Sequence, residues 1–552
     1  MGAGALTLRL ELLDAPPATD AEPARALLRA AGAAGLAVPS SVAELEPPTE
    51  RFEPREREAL AHSLESQLAR HQPHVAVLES ARALRRAGAC LVVTGQQPGF
   101  LASPLYSLYK ALHAIRLARS LAQAWERPVV PLFWNHADDH DVAEVHHAWL
   151  LNENLELQRI AIAGMASGRQ PISRIVLEES RHRLSATRAL LTQTLARWPH
   201  ADEALALFLP REGETLASAF TRALVRLLGR HGLLVLEPDW MREELTRALA
   251  SIVQIDVAPA LAAGTSAVAQ LGREPAIEPY QAALCYRVDA EGRQALRLGG
   301  EGFRYDGEHG SRNGAELAAE MLQEPEAWSA GALLRPLVQD ICLPVAAYVG
   351  GLGELAYHAQ LAPLRRAAAV PDVPFVPRWS CTLIDAETRR ALERLEIRVD
   401  DALAAGAAIE ARLEQQLGPG PPVVGELHSI AERAARALLE QRSSLAELDP
   451  GLAQNLARTA SQVRELIEKI AAKAERVHAN SQGKGRRHVR RIVNTLAPRT
   501  QPQERVLGPI GFVAQHGTGW IDGLLDALPP FERRHVVAHL GADEEPAPAG
   551  SA

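Results

Sequence analysis

The tightest constraint on the fold lies between residues 90 and 134. A short apolar run, Cys90-Leu-Val-Val93, enters the turn Thr94-Gly95-Gln96-Gln97-Pro98-Gly99. Ser103-Pro104 then opens a helical stretch from Leu105 to about Ala124, and a second apolar run, Val129-Val-Pro-Leu-Phe-Trp134, follows. Two buried strands joined through a helix lie parallel, with a right-handed crossover. Ser103 reads as the N-cap and Pro104 as the first helical residue. The pattern recurs. Leu233–Glu237 reads as a strand before a helix from Trp240 to about Val253. Leu343–Val349 runs into Gly350-Gly351-Leu352-Gly353 and a helix from Glu354 to about Ala368, and Val373–Val376 is a further strand. Strand–helix alternation over residues 90–380 predicts an α/β unit, a doubly wound parallel sheet with segments inserted at about 150–230 and 270–330. The 90 residues before it read as irregular, Pro-interrupted pieces and two helices, about Pro54–Arg70 and His74–Ala87.

After Asp385 strand formers almost vanish. Leu456, Ala460, Val463, Ile467, Ile470, Ala474 and Val477 alternate spacings of four and three, an a/d seam with charges between. Gly418-Pro-Gly-Pro-Pro422 reads as a helix stop. Residues 386–480 therefore read as a long antiparallel helical arm, or as a compact helical domain. Residues 481–552 read as a segment returning to the 1–385 core, with a loose tail from Gly541. The basic run Lys484–Arg491 reads as a solvated helix face or a nucleic-acid contact. With 59 Lys and Arg against 67 Asp and Glu, the net charge of −8 argues against a chain that coats a phosphate backbone. Four scattered cysteines, Cys90, Cys285, Cys342 and Cys381, with no CxxC spacing read as buried reduced thiols. No run of about 18 apolar residues and no signal-peptide pattern occurs, so the expectation is a cytoplasmic protein without a membrane partner.

Three constellations fall where a doubly wound sheet gathers its ligands, at the carboxyl ends of strands. In Thr94–Gly99, Gly95 and Gly99 allow close approach of backbone amides, while Gln96 and Gln97 offer donors and acceptors. A tight turn with glutamine capping is the alternative. In Trp134–Asp141, Asp138, Asp139, His140 and Asp141 follow an apolar strand. They suit a carboxylate-oriented histidine acting as general base, a divalent metal site, stabilisation of a substrate ammonium, or a charged helix cap. Gly350-Gly351-Leu352-Gly353-Glu354-Leu355-Ala356 contains GxGxxA between strand and helix, yet lacks the acidic residue that would bind an NAD ribose. It reads as a phosphate or carboxylate cradle, or as close helix–strand packing. Arg335 and Arg378 flank these strands as candidates for bidentate carboxylate or phosphate contacts, or for salt bridges.

The segments Val92–Gly99 with Pro104–Lys110, Val130–Trp134 with Asp139-His140-Asp141, and Ala332–Asp340 resemble the bacillithiol biosynthesis cysteine-adding enzymes. So do Leu343-Pro344, Gly350–Glu354, Ala356-Tyr357 and Val376–Arg378, in the same order. Asp138 stands where a glutamate is expected, and Leu352 where a proline is common. The resemblance implies a Rossmann-like core with connecting insertions and a long α-helical coiled-coil arm associated with homodimerisation. It implies a carbon–nitrogen ligase that joins cysteine to glucosaminyl-malate through an amide bond, with Tyr357 and Trp134 among the residues of the site. Adenylation by ATP with Mg2+ is one route to activate the carboxylate, though no sequence motif marks it. In that picture His140, oriented by Asp139 or Asp141, deprotonates the sugar amine. Arg335 and Arg378 bind malate carboxylates. Two rivals remain: a nucleotidyltransferase acting on another small polar metabolite, and a non-catalytic coiled-coil assembly protein.

Overall fold

The computed structural model describes residues 8–13, 28, 31–33, 35–165, 168–270, 276–299, 302–306, 310–417, 422–482 and 484–541. The chain divides into two compact units, residues 1–386 with 501–552, and residues 387–500. Residues 481–500, which the sequence assigns to the returning segment, thus belong to the helical unit. Residues 418–421 of the expected helix stop, and the tail beyond Gly541, lie outside the described residues.

In the first unit, β1 is Leu8–Leu13, β2 is Cys90–Gln96, α1 is Leu105–Trp125 and β3 is Val129–Asn135. All of β3 is buried, and so is β2 up to Gly95. A parallel strand covered on both faces has no wet side, which is why both read as unbroken apolar runs. Pro104, not Ser103, holds the N-cap of α1, and the Leu105 N–H donates to the Leu507 carbonyl at 2.9 Å. Next come β4 (His147–Leu151) and β5 (Leu157–Ala161), an antiparallel hairpin. They precede β6 (Leu234–Leu236) and α2 (Arg242–Val253). A second insertion supplies β7 (Cys285–Asp289), β8 (Gly292–Gly299), β9 (Gly302–Tyr305) and β10 (Trp328–Ala330). α3 (Arg335–Cys342), β11 (Val345–Gly350), α4 (Leu352–Gln360), β12 (Phe375–Pro377) and β13 (Ser380–Ile384) follow. The helix expected from Glu354 to Ala368 breaks at Leu361 into α4 and Ala362–Ala367, whose Pro363 supplies no amide proton.

The central sheet has the order β12-β11-β2-β3-β6, every pairing parallel. From β2 the chain runs outward through β3 to β6, then resumes at β11 on the other side. The switch point, where such sheets bind ligands, therefore lies between the carboxyl ends of β2 and β11. The four antiparallel strands of the second insertion have the order β10-β7-β8-β9. In a third sheet, β14 (His535–Leu540) lies between β1 and β13, antiparallel to the first and parallel to the second. Leu132, Phe133, Leu91 and Val93 are at the centre of one continuous core, each contributing about 1.5–3 kcal/mol through burial. Among the described residues no single helix is long and apolar enough to cross a membrane. The four cysteines are free thiols; three are buried and Cys342 is half-buried.

In the helical unit, α5 (Pro422–Glu440) and α6 (Pro450–Gln482) pack along each other, and α7 is Lys484–Leu496. The His428–Glu475 contact at 3.6 Å and the Glu432–Arg464 ion pair at 3.5 Å fix an antiparallel direction. Ala453, Ala460 and Ala471 of α6 are buried, whereas Leu466 and Ile470 remain 59% and 58% exposed. Ala471 thus takes the buried position that heptad spacing assigns to Ile470, because small side chains let two helix backbones approach.

Candidate functional site

At the switch point the two glycine turns are tied together by a buried lysine. Lys110 projects from α1, and its Nζ donates to Gly95 O at 2.8 Å and Gln96 Oε1 at 2.9 Å and pairs with Glu354 Oε2 at 2.5 Å. Glu354 also accepts from the Tyr348 hydroxyl at 2.7 Å and the Gly351 N–H at 2.8 Å. Burial opposes its charge, but the Lys110 ammonium and these donors hold its carboxyl below the ordinary range. In the turn read as a phosphate or carboxylate cradle, the Gly351 N–H is therefore taken by the chain's own Glu354 carboxylate. Gly350 is required for packing, since a Cβ there would meet the Phe375 ring at 2.5 Å. Gly351 is the N-cap of α4, and Gly353 has nothing within 4 Å of a Cβ. Thr94 is structural, its hydroxyl donating across the sheet to Val349 O at 2.7 Å. Gly99 admits the close return of the chain, with Ser103 O only 1.8 Å from where a Cβ would stand.

The two glutamines are fixed in opposite senses. Lysine only donates, so Gln96 turns its oxygen to Lys110 and keeps both amide hydrogens for a ligand. Gln97 Nε2 donates to Asp139 Oδ2 at 2.6 Å, which leaves its oxygen as the free acceptor. Asp139 Oδ1 accepts the backbone N–H of His140 at 2.7 Å and of Asp141 at 3.3 Å. Asp141 caps the short helix Val142–Val145 by accepting from Ala143 N at 3.1 Å. Neither carboxylate hydrogen-bonds the His140 ring. Its Nδ1 lies 3.6 Å from Asp139 Oδ1 but 3.2 Å from Arg293 NH1, so the expected orientation of His140 by Asp139 or Asp141 is replaced by an arginine.

Beside these loops is a cavity of about 290 Å³ lined by Trp134, His136, Asp138, Asp139, Arg335 and Tyr357, with α2 and the inserted sheet as its far wall. Asp138 forms a bidentate ion pair with Arg242, which also pairs with Asp239. Arg335 is different. It donates to Gln339 Oε1 at 3.1 Å and to the Tyr357 hydroxyl at 3.2 Å, both neutral oxygens. A guanidinium at the wall of a cavity with no carboxylate in hydrogen-bond contact among the described residues favours an anionic ligand. Arg378, its counterpart in the sequence reading, is neutralised by Glu504 at 2.7 Å and donates to Trp379 O at 2.6 Å. It is a buried structural pair, not a free grip for substrate. A larger hollow of about 540 Å³ lies at the opposite, amino ends of the strands. Its Arg51 and Arg57 are engaged by backbone carbonyls and by Glu50.

His136 belongs to the Trp134–Asp141 constellation read from the sequence, whereas Lys110, Arg242, Tyr286 and Arg293 complete the site without having been singled out there. Lys110 left a signal: it is the one charged residue in the stretch Leu105–Leu112 of a helix whose face must be covered. His136 stands directly after β3, its Nε2 buried without a hydrogen-bond partner and 2.6 Å from where a Cβ on Gly95 would be. Burial, with Arg335 and Lys110 nearby, holds it neutral, well below the ordinary histidine range. Arg293 and Tyr286 come from the inserted antiparallel sheet, 150 residues away, where no local pattern marks them. Glu237, at the end of β6, accepts from Thr221 at 2.6 Å, and burial pushes its carboxyl up to about 7 against that bond. Among the described residues no group of three His, Cys, Asp or Glu side chains converges as a metal site requires.

A doubly wound sheet with a cavity beside its switch point, lined from the carboxyl ends of β3 and β6 and walled by an inserted sheet, together with a separate helical unit, defines a Rossmann-like enzyme with a coiled-coil domain. Residues 41–379 match the family described as bacillithiol biosynthesis BshC, N-terminal Rossmann-like domain, and residues 381–540 match its C-terminal coiled-coil domain. The chain belongs to the BshC family of bacillithiol biosynthesis. It is 31% identical over 500 residues to a protein of Koribacter versatilis, covering 88% of this chain and 91% of that one. It is 30% identical over 483 residues to one of Solibacter usitatus, covering 84% and 86%. A protein of Geobacillus thermodenitrificans is 27% identical over 503 residues, covering 88% and 91%. All three are provisionally named cysteine ligase BshC.

Proposed function

We propose that this chain adds cysteine to the amine of glucosaminyl-malate, forming an amide in the last step of bacillithiol synthesis. The observation that carries the reading is Arg335, a guanidinium at the cavity wall whose partners are both neutral. A carboxylate substrate supplies the missing counter-charge, and malate carries two. The opposed glutamine amides suit a ligand with both donor and acceptor groups, such as an amino sugar. ATP with Mg2+ is the proposed source of activation. The purified chain, incubated with cysteine and glucosaminyl-malate with and without ATP and Mg2+, is expected to yield the thiol product by mass spectrometry. Absence of product under every condition would refute the reading.

The proposal further takes the protein to be a cytoplasmic homodimer, with neither nucleic acid nor a membrane as partner. The net charge of −8 argues against a nucleic-acid partner, and the exposed Ile430, Leu452, Leu466 and Ile470 on the helical unit support the homodimer. Sedimentation is expected to give a dimer that Leu466→Glu with Ile470→Glu converts to monomer.

A further inference from the structure

We propose that Arg293 is a positioning residue that fixes His140 as its Nε2–H tautomer. His140 then serves the reaction as a neutral hydrogen-bond donor to a substrate oxygen, and not as a base. The inference rests on reading the cavity lined by its neighbours Asp139, Tyr286 and Arg293 as the ligase site. A guanidinium has five N–H donors and no acceptor, so the 3.2 Å contact between Arg293 NH1 and His140 Nδ1 makes Nδ1 the acceptor. The ring proton of a neutral imidazole is then on Nε2. That edge has no partner among the described residues.

The groups around the ring agree. Asp139 Oδ1 is the carboxylate oxygen nearest Nδ1, but at 3.6 Å it lies beyond a hydrogen bond and already accepts two backbone amides. Asp141 accepts from Ala143. The Tyr286 ring meets His140 edge-on at 5.8 Å. Arg293 is itself held in place, its guanidinium 3.5 Å above the Tyr286 ring and its backbone N–H donating to Arg169 O at 2.7 Å. Charging the imidazole would set two cations against each other in a half-buried site, and burial together with Arg293 keeps His140 below the ordinary histidine range against the pull of Asp139 and Asp141. A neutral histidine can polarise a carbonyl or carboxylate oxygen through one N–H without giving up the proton.

Two measurements on the full chain test this. In protein labelled with 15N-histidine, a long-range 1H–15N spectrum reports which ring nitrogen carries the proton, and the His140 signals are those that vanish in His140→Gln. The expected pattern is protonated Nε2 with bare Nδ1, retained in Arg293→Lys and lost to a tautomer mixture in Arg293→Met. Protonated Nδ1 in the unaltered protein would overturn the proposal. In turnover, glutamine keeps a donor but cannot act as a base. His140→Gln is expected to lose about 10-fold in kcat and His140→Ala about 10³-fold. Equal losses in the two variants would overturn the donor role. The spectrum needs no substrate, so failure of the unaltered protein to ligate cysteine would sink the proposed function and leave the tautomer question answered.

Discussion

Two polar clusters at strand ends of the first unit, each holding an arginine and a histidine, come to opposite ends. Beyond β12, Arg378 pairs with Glu504, Ser380 shares a hydrogen bond of 2.8 Å with His535, and Thr382 closes the other edge of that ring at 2.9 Å. Each of those side chains has found its partner inside the fold. At the site, among the described residues, the hydrogen bonds of Arg335 go only to neutral oxygens, His136 Nε2 has no partner, and each glutamine has one end unengaged. Residue type gives the charge; the partners decide whether that charge is available to a ligand. The first cluster is a joint that fastens the C-terminal return to β13, and the second is a site.

Breaking the closed cluster should give the largest effect. Arg378→Met leaves Glu504 buried and unpaired, and denaturant unfolding is expected to show a loss of about 3–5 kcal/mol. Arg335→Met should do the reverse, costing less than about 1 kcal/mol of stability while lowering kcat/KM about 10²–10³-fold, as loss of a charged contact to substrate does. If Arg335→Met unfolds the protein as Arg378→Met does, the contrast between the clusters fails. Glu354→Gln removes the counter-charge of Lys110 and is expected to cost about 2–3 kcal/mol, with restoration in a Lys110→Met, Glu354→Gln double variant.

Glu237 sharpens the comparison through pH. Its carboxyl sits at about 7 in the folded chain against an ordinary 4.5, so between those values the folded state keeps a proton the unfolded state has released. Stability must fall as pH rises through that window. Glu237→Gln mimics the protonated form, and is expected to be more stable than the unaltered protein by about 1–3 kcal/mol at pH 8 and indistinguishable at pH 4. A difference that persists at pH 4 would refute this assignment. The smallest effect belongs to Asp141→Asn. Asparagine caps a helix as well as aspartate, so activity is expected to stay within about twofold. A large loss would return Asp141 to the chemistry.

Much of the central sheet was legible because parallel strands buried on both faces leave continuous apolar runs: β3 and β11 fall within two residues of where those runs stand, and β2 begins where its run does and continues three residues into the turn. The N-cap of α1 was misread because Ser103-Pro104 carries the usual signature while the chain satisfies the first amide through Leu507, four hundred residues on. In the coiled coil, spacing identified the apolar positions of α6 but not which of them face α5. Packing of two close helices selected Ala471 over Ile470.

The sequence by itself determined the alternation that makes a doubly wound sheet, the positions of its glycine turns, the helical unit and the family. These are local or periodic properties, written into the spacing of apolar and turn residues. Only the tertiary structure decided that Arg378 is neutralised and Arg335 is not, that Glu354 fills the turn it follows, and that Arg293 reaches His140. Those outcomes depend on which side chains the sheet order brings within hydrogen-bond reach across 15 to more than 100 residues of chain. Electrostatic pairing acts through space, and spacing along the chain carries no record of it.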